Sequence, residues 1–418
     1  MFELNEIHRM IEKMTRQFCE KELAPHVEAL EKGEMLPYDL MRKMANSFGL
    51  VQMAKDAFEK MIAESERQKE EKANENKEGK KSKLKEGIDP LILAVVTKEI
   101  CRVCPSFALS LTGTIALAAV TILTKGTADQ KRKWGLPLIT FEKIGCWGLT
   151  EPEAGSDAFS LRTTAKPDGD YYILNGSKTF ITNAPYADIL VVYAKIDRGP
   201  DAKQDKRRVY PFVLERGMEG LSTGKPMKKM GMCGSPTGEI FMNDVKVPKE
   251  NLLGGEEKAS REQAKEVLSS EREGSPFMCW GIIERCLEDS INYAIQRKQF
   301  GKPIANFQLI QEKIANMYIR LENVRNLAFK QAWAMKTGKG FAEDFCAAKA
   351  YSARAAVEVG LEAIQLMGGY GYMKEYIVEM LMRDAKLIEI GGGTTEIQLL
   401  TIAKELFRKA GHEISISG

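Results

Sequence analysis

Hydrophobic periodicity changes twice along the chain, and this switch limits the fold more than any single motif. From Glu3 to about Leu50 apolar residues recur at helical spacing, as in Ile7, Met10, Ile11 and Met14, with Pro25 and Pro37 as breaks. The helical pattern resumes at Pro90 and runs to about Phe141. Residues 145–247 instead carry short apolar runs divided by Gly, Pro, Asn and Asp, the pattern of strands and turns. After about Gly255 the helical period returns and persists, with a charged break at residues 336–339. Over 418 residues this order predicts an α+β multidomain protein: an N-terminal helical domain at 1–142, a middle β domain at 143–255 and a C-terminal helical domain at 256–418. Within the β region, the apolar run at 171–174, the Asn175-Gly176 pair and the run at 178–182 predict a hairpin, because Asn-Gly favours the twist of two-residue turns. Further strands are expected at 189–194, 210–214 and 239–247.

Two segments depart from the average composition. Residues 103–124 carry no charge and are long enough to span a bilayer. Their hydroxyls, Ser106, Ser110, Thr112, Thr114, Thr121 and Thr124, together with Gly113, fit a helix packed tightly inside the protein and lining a pocket, so no membrane span is expected. Residues 64–86 are almost entirely Lys, Glu, Arg, Gln and Asn and cannot bury a core face, which predicts a solvated helical extension or loop.

Several function classes are disfavoured. A net charge of +3, from 61 basic and 58 acidic residues, gives no electrostatic case for nucleic acid. No GxGxxG joins a strand to a helix and no GxxxxGK[ST] occurs, so Rossmann and P-loop sites have no support. Cys101 and Cys104 form a lone CxxC, read as two buried thiols rather than a zinc site, and no metal is expected. Eight scattered cysteines, and a first ten residues without a continuous apolar run, predict a reducing, cytoplasmic location. His8, His26 and His412 are the only histidines, so acid–base chemistry falls to carboxylates, lysine or tyrosine.

Five stretches carry the chemistry. Trp147-Gly-Leu-Thr-Glu-Pro-Glu-Ala-Gly-Ser-Asp157 puts hydroxyls and glycine amides on a loop able to satisfy an acceptor-rich ring or a phosphate. Phe180-Ile181-Thr182 places an aromatic ring and a hydroxyl on one strand face. Gln299-Phe-Gly-Lys-Pro303 follows Arg297, and Gln365-Leu-Met-Gly-Gly369 forms a turn. Ile390-Gly-Gly-Gly-Thr-Thr-Glu-Ile-Gln398 interrupts a helical pattern with three glycines, which taken alone read first as a helix cap and turn, and otherwise as a place where backbone approaches a ligand closely.

In this order, these motifs resemble the acyl-CoA dehydrogenases, flavoproteins that oxidise acyl-CoA thioesters to 2-enoyl-CoA, over nearly the whole chain apart from residues 64–86. The resemblance implies an antiparallel, barrel-like middle domain, a four-helix-bundle C-terminal domain and FAD as cofactor. It assigns the flavin ring and pyrophosphate to the loop at Trp147, Leu149, Thr150, Gly155 and Ser156 and to Phe180 and Thr182, Phe180 standing where Trp is more usual. A neighbouring subunit of a homotetramer would complete the site with Arg297, Phe300, Gln308, Gln365, Gly368 and Gly369, while Thr394 and Glu396 would contact the ADP part. Ser156, Arg272 and Gly393 are the implied substrate contacts, and an electron-transfer flavoprotein is the implied electron acceptor.

Many members place the catalytic base immediately before the glycine of a Glu-Gly-Thr motif, and Gly392 occupies that position here. A minority, including the isovaleryl-CoA and long-chain enzymes, carry it on an earlier helix, just before an arginine that lies 25 residues ahead of the flavin arginine. Glu271-Arg272 stands there, since 297 minus 272 is 25. Glu271 is therefore the expected base, with β-hydride passing to flavin N5. The Gly392 N–H and a flavin ribityl hydroxyl are expected to hold the thioester carbonyl. Gly274, Ser275 and Pro276 after this base favour an acyl group that is branched, cyclic or aryl-bearing. Ala108, where glutaryl-CoA dehydrogenases carry an arginine, counts against a glutaryl substrate. The alternatives are an acyl-CoA oxidase, a dehydrogenase acting elsewhere on a cyclic acyl group, and a non-catalytic flavin- or CoA-binding homologue.

Overall fold

The computed structural model describes residues 3–74, 89–199, 209–255 and 261–414, with the side chains of 65, 68–74 and 261–271 outside that description. The N-terminal helices include α1 (Glu6–Phe18), α2 (Leu50–Asn74), α3 (Pro90–Cys101) and α4 (Pro105–Lys125), the last with a π-helical stretch at Gly113–Ala119. Seven strands follow: β1 (Gly145–Gly148), β2 (Thr164–Asp168), β3 (Tyr171–Thr182), β4 (Ile189–Ile196), β5 (Tyr210–Glu215), β6 (Leu221–Thr223) and β7 (Thr237–Pro248). Then come α5 (Arg261–Gln296), a small hairpin of β8 (Lys298–Gln299) and β9 (Lys302–Pro303), and four helices: α6 (Gln308–Thr337), α7 (Ala342–Met367), α8 (Ile377–Ile390) and α9 (Thr395–Lys409). The helical, β, helical order is the expected one. The polar stretch at 64–86 is helical as far as Asn74, where α2 ends, and residues 75–88 lie outside the described residues.

The strands form one sheet in the order β1-β4-β2-β3-β7-β6, with β5 on the other edge of β4. It is curled and mainly antiparallel, but β1 and β2 each pair with β4 in parallel. Side chains alternate between the two faces of a strand, and both faces of β4 are covered. Ile189, Val191 and Tyr193 pack beneath α4, while Leu190, Val192, Ala194 and Ile196 pack with the opposite layer. The unbroken apolar run of β4 follows from that double burial.

One expectation is overturned. Asn175-Gly176 does not turn a hairpin: β3 runs straight through it and pairs along its length with β7, with register shifts between Leu174 and Gly176 and between Lys178 and Ile181. Gly176 has φ +146, and a Cβ there would come within 2.5 Å of Thr163 Oγ1, so the glycine serves a bulge and a close backbone crossing. The true hairpin joins β2 to β3 through Gly169, whose φ is +54.

The uncharged segment is the helix α4, long and apolar enough to cross a membrane by length and composition. It is wedged between the sheet and the helical layers. Phe107 and Ala108 join the main helical core, while Leu117, Ala118 and Ile122 pack on the sheet. Thr112, Thr121 and Thr124 return their hydroxyls to carbonyls of their own helix, four residues back. Buried Asn183 donates to Ser110 O at 3.0 Å, Thr114 Oγ1 at 3.2 Å and Gly145 O at 3.2 Å, tying helix to sheet. Cys101 and Cys104 are buried thiols on either side of the α3–α4 junction.

N-terminal and C-terminal helices share one core, which runs from Phe18 and Leu30 through Trp280 and Val324 to Leu381. A buried ionic cluster crosses it. Glu99 on α3 is 1% exposed and receives a bidentate pair from Arg16 of α1, at 2.8 and 2.9 Å, with Lys98 Nζ at 2.7 Å. Arg102 extends the cluster to Glu284 and Glu288 of α5. Burial alone would raise the Glu99 carboxyl, but Arg16 and Lys98 outweigh it and hold the group below its usual range. A depressed carboxyl contributes stability above its unfolded-state value and loses it as pH falls through the folded-state value. Glu99→Ala is expected to lower unfolding stability by about 3 kcal/mol at pH 7. Urea titrations at pH 7 and at mildly acidic pH should show a smaller loss on acidification for the variant than for the wild type.

Candidate active site

Three groups of predicted residues lie at three places on this scaffold. The first is the loop after β1. Glu151 and Ala154 bond each other's backbone at 3.1 and 3.2 Å, closing a tight turn that leaves Gly155 and Ser156 exposed. The Glu151 carboxylate accepts from the backbone N–H of Arg162 and Thr163, from the Thr163 hydroxyl and from Lys178 Nζ at 2.7 Å. Burial drives the fully enclosed Lys178 ammonium down to about 8, with Glu151 opposing. The Thr179 N–H donates to Thr150 O at 3.0 Å, joining this loop to β3. Trp147 and Leu149 are core residues, and the Trp147 ring meets Tyr193 edge-on at 5.2 Å.

Phe180 sits at the second bulge of β3. Its φ is +59, rare for a non-glycine residue, and its ring is 70% exposed. A strained backbone that displays an aromatic ring is a common signature of a ligand site. Thr182, two residues on, packs its methyl against Gly113 of α4.

The second group gathers where α5 ends and α7 ends. The Arg297 guanidinium lies 5.6 Å over the ring of Tyr370, which follows directly on Gly368 and Gly369. Gly368 caps α7 with φ +61. Phe300, at the tip of the β8–β9 hairpin, has φ +51 and is 92% exposed, with one edge against Phe307. Helices α6 and α7 run antiparallel, as the Lys313–Glu362 and Arg320–Glu358 pairs show, so exposed Gln308 and Gln365 lie at the same end. All six predicted residues of this group, from the stretches 297–308 and 365–369, are exposed.

The third group is the triglycine loop between α8 and α9. Gly392 and Gly393 have φ of +63 and +84, and a Cβ at Gly393 would meet Gln398 Nε2 at 2.8 Å. The Thr394 hydroxyl caps α9 by accepting from Ile397 N, and Glu396 is exposed in its first turn. Sequence reading missed what holds this loop. Lys349 of α7, 2% exposed, donates from Nζ to the carbonyls of Gly391 and Gly393, and Gln398 Nε2 donates to Gly393 O at 2.7 Å.

Glu271 lies in α5, and its side chain is outside the described residues. Its neighbour Arg272 reaches α7, with Nη1 3.8 Å from Cys346 Sγ and Nε buried without a hydrogen-bond partner. Pro276 removes the N–H that would bond the Arg272 carbonyl four residues earlier. Gln331 of α6 supplies the replacement, donating from Nε2 to the carbonyls of Arg272 and Glu273. Cys346 and Lys349 are one turn apart on α7, so this face links the Arg272 segment to the triglycine loop.

Hydroxyls, backbone amides, glutamine amides, an exposed aromatic ring and a guanidinium form a donor set suited to an acceptor-rich ring system joined to a pyrophosphate. Family profiles described as the N-terminal, middle and C-terminal domains of acyl-CoA dehydrogenase match residues 5–73 with 85–142, 146–245 and 261–407, respectively. A 3-(aryl)acrylate reductase of Clostridium sporogenes is 36% identical over 404 residues, 96% of this chain and 99% of its own length. The caffeyl-CoA reductase-Etf complex subunit CarC of Acetobacterium woodii is 37% identical over 407 residues, 97% of this chain and 99% of its own. The structure of butyryl-CoA dehydrogenase from Megasphaera elsdenii superposes with a TM-score of 0.83 at 36% identity, covering 98% of this chain and 100% of that one. With all three of its domain profiles matched in order along one chain, the protein belongs to the acyl-CoA dehydrogenase family.

Proposed function

We propose that this FAD-dependent enzyme dehydrogenates a short branched, cyclic or aryl-bearing acyl-CoA to its 2-enoyl thioester, with Glu271 taking the α-proton. The observation that carries this reading is the backbone of Gly392. A left-handed φ of +63 suits glycine and is rarely adopted by a side chain as large as glutamate, so the loop offers an amide and no carboxylate. The contacts from Arg272 through Cys346 and Lys349 to Gly391 support a base on α5 that works beside that amide. Proton removal next to a thioester requires a carboxylate within hydrogen-bond reach and a donor at the carbonyl oxygen, where charge develops. In this reading Glu271 is the carboxylate and the Gly392 N–H the donor. FAD, when bound, accepts the β-hydride.

Thr150, Ser156, Phe180 and Thr182 would hold the flavin end of the cofactor, with Trp147, Leu149 and Gly155 shaping their loop. Arg297 with Phe300, Gln308, Gln365, Gly368 and Gly369 would reach it from a neighbouring subunit, and Thr394 and Glu396 its ADP part. Ser156, Arg272 and Gly393 would face the substrate. A homotetramer fits the exposure of this second group and an apolar cleft of about 510 Å³ between α5 and α6, lined by Ile291, Ile295, Ile314 and Tyr318 among others. The domain limits 1–142, 143–255 and 256–418, a cytoplasmic location and α4 as an internal rather than a membrane-spanning helix complete the proposal.

Support for an aryl group comes from the names of the two reductases, and an electron-transfer flavoprotein as partner from the Etf complex of the second. Room near the base supports the same choice: a Cβ added at Gly274 would meet nothing within 4 Å.

Glu271→Gln is expected to slow anaerobic, substrate-dependent bleaching of the flavin about 10³-fold while FAD stays bound; bleaching at the wild-type rate would refute the assigned base. Across straight, branched, cyclic and aryl acyl-CoAs, bleaching should be fastest with the branched or ring-bearing thioesters, and a preference for straight short chains would sink the substrate assignment. Removing the guanidinium in Arg297→Ala should weaken FAD binding by about 2 kcal/mol, near 30-fold, as read by flavin fluorescence on dilution.

A further inference from the structure

We infer that Lys349 is a positioning residue for the oxyanion donor: its ammonium fixes and polarises the peptide unit whose N–H meets the thioester carbonyl. The inference rests on the proposed role of the Gly392 N–H. Three successive glycines have the greatest backbone freedom a chain can offer, so this loop cannot hold an amide in one direction by itself. Its carbonyls are held from inside the protein. Lys349 Nζ donates to Gly391 O and, at 2.7 Å, to Gly393 O; Gln398 Nε2 donates to Gly393 O at 2.7 Å and to Gly392 O at 3.4 Å. Both side chains are buried, Lys349 at 2% exposure and Gln398 at 0%.

Direction follows from peptide geometry. No peptide bond among the described residues is cis, and in a trans unit the C=O of one residue and the N–H of the next point to opposite sides. Drawing the Gly391 carbonyl onto Lys349 therefore turns the Gly392 N–H away from α7. The Gly392 carbonyl, held by Gln398, orients the Gly393 N–H in the same manner. Charge adds to direction, because a cation bonded to a carbonyl strengthens the N–H of the same peptide as a donor, and chains of hydrogen bonds reinforce one another. The sequence runs from ammonium to Gly391 carbonyl to Gly392 N–H to thioester oxygen. Its benefit is largest when that oxygen carries charge, so Lys349 should act on kcat more than on KM.

Lys349 also touches the rest of the proposed machinery. It lies one turn from Cys346, the contact of Arg272, so movement of α7 would shift the amide and the Glu271 segment together.

Crotonyl-CoA labelled with ¹³C at the thioester carbonyl, bound to the FAD-loaded enzyme, reports the polarisation directly through its carbonyl stretch in isotope-edited infrared difference spectra. The wild type should show a downshift on binding. Lys349→Met should lose more than half of it, keep its FAD, and turn over its best acyl-CoA about 10- to 100-fold more slowly with KM changed less than about fivefold. Lys349→Arg, which keeps charge and donors, should recover most of both. A full downshift in Lys349→Met would overturn the inference while leaving the Gly392 contact standing. No downshift in the wild type would overturn the Gly392 contact itself, and the inference with it. If Lys349→Met sheds its FAD, Lys349→Gln takes its place with the same two outcomes; loss of FAD from both would show a structural role and overturn the inference.

Discussion

An ammonium group forfeits several kcal/mol of hydration on burial, yet Lys98, Lys178 and Lys349 are each exposed by 2% or less. Each is repaired differently. Lys98 sits among the carboxylates of Glu12, Glu99 and Glu284 and helps join the first helices to α5. Lys178 faces Glu151 and Leu149 O, fastening the loop after β1 to β3. Lys349 is bound to backbone carbonyls of the triglycine loop. The helical layers, the loop after β1 and the triglycine loop are thus each held by a buried cation. Asp384 of α8 shows the opposite solution: burial pushes its carboxyl well above the usual carboxylate range, and it accepts from the Met232 N–H.

Such anchors explain what could and could not be read in advance. Periodicity sufficed for the order of helices and strands because each element displays its own burial: β4 is apolar from Ile189 to Ala194 because both its faces are covered there, and α4 carries no charge before Lys125 because it is wedged between layers. Asn175-Gly176 misled because local turn preference and a bulge closely approached by a neighbouring segment demand the same residue types, and only the pairing of β3 with β7 separates them. Glu151 and Lys178 are 27 residues apart and read as ordinary charges of a loop and a strand; no local pattern announces that they meet.

The candidate site was legible only as motifs, through resemblance, and its wiring was not. Phe180 and Phe300 could be picked out as residues, but not their left-handed backbones, which arise from a bulge and a hairpin tip. Gly392 was informative through what it lacks. The lysine behind it sits in an alanine-rich helix whose composition gives no sign that one position faces the carbonyls of a loop 42 residues onward.

Pro276 and Gln331 leave a consequence of another kind. Proline deprives the Arg272 carbonyl of its helical donor, and an amide from a different helix makes good the loss. Neither residue is neutral without the other: a Leu at 331 would strand a buried carbonyl beside proline, whereas Ala at 276 would restore the helix bond and leave the amide competing for it. In descent the two positions should therefore behave as one heritable unit, in which the order of substitution matters and the amide has to precede the proline.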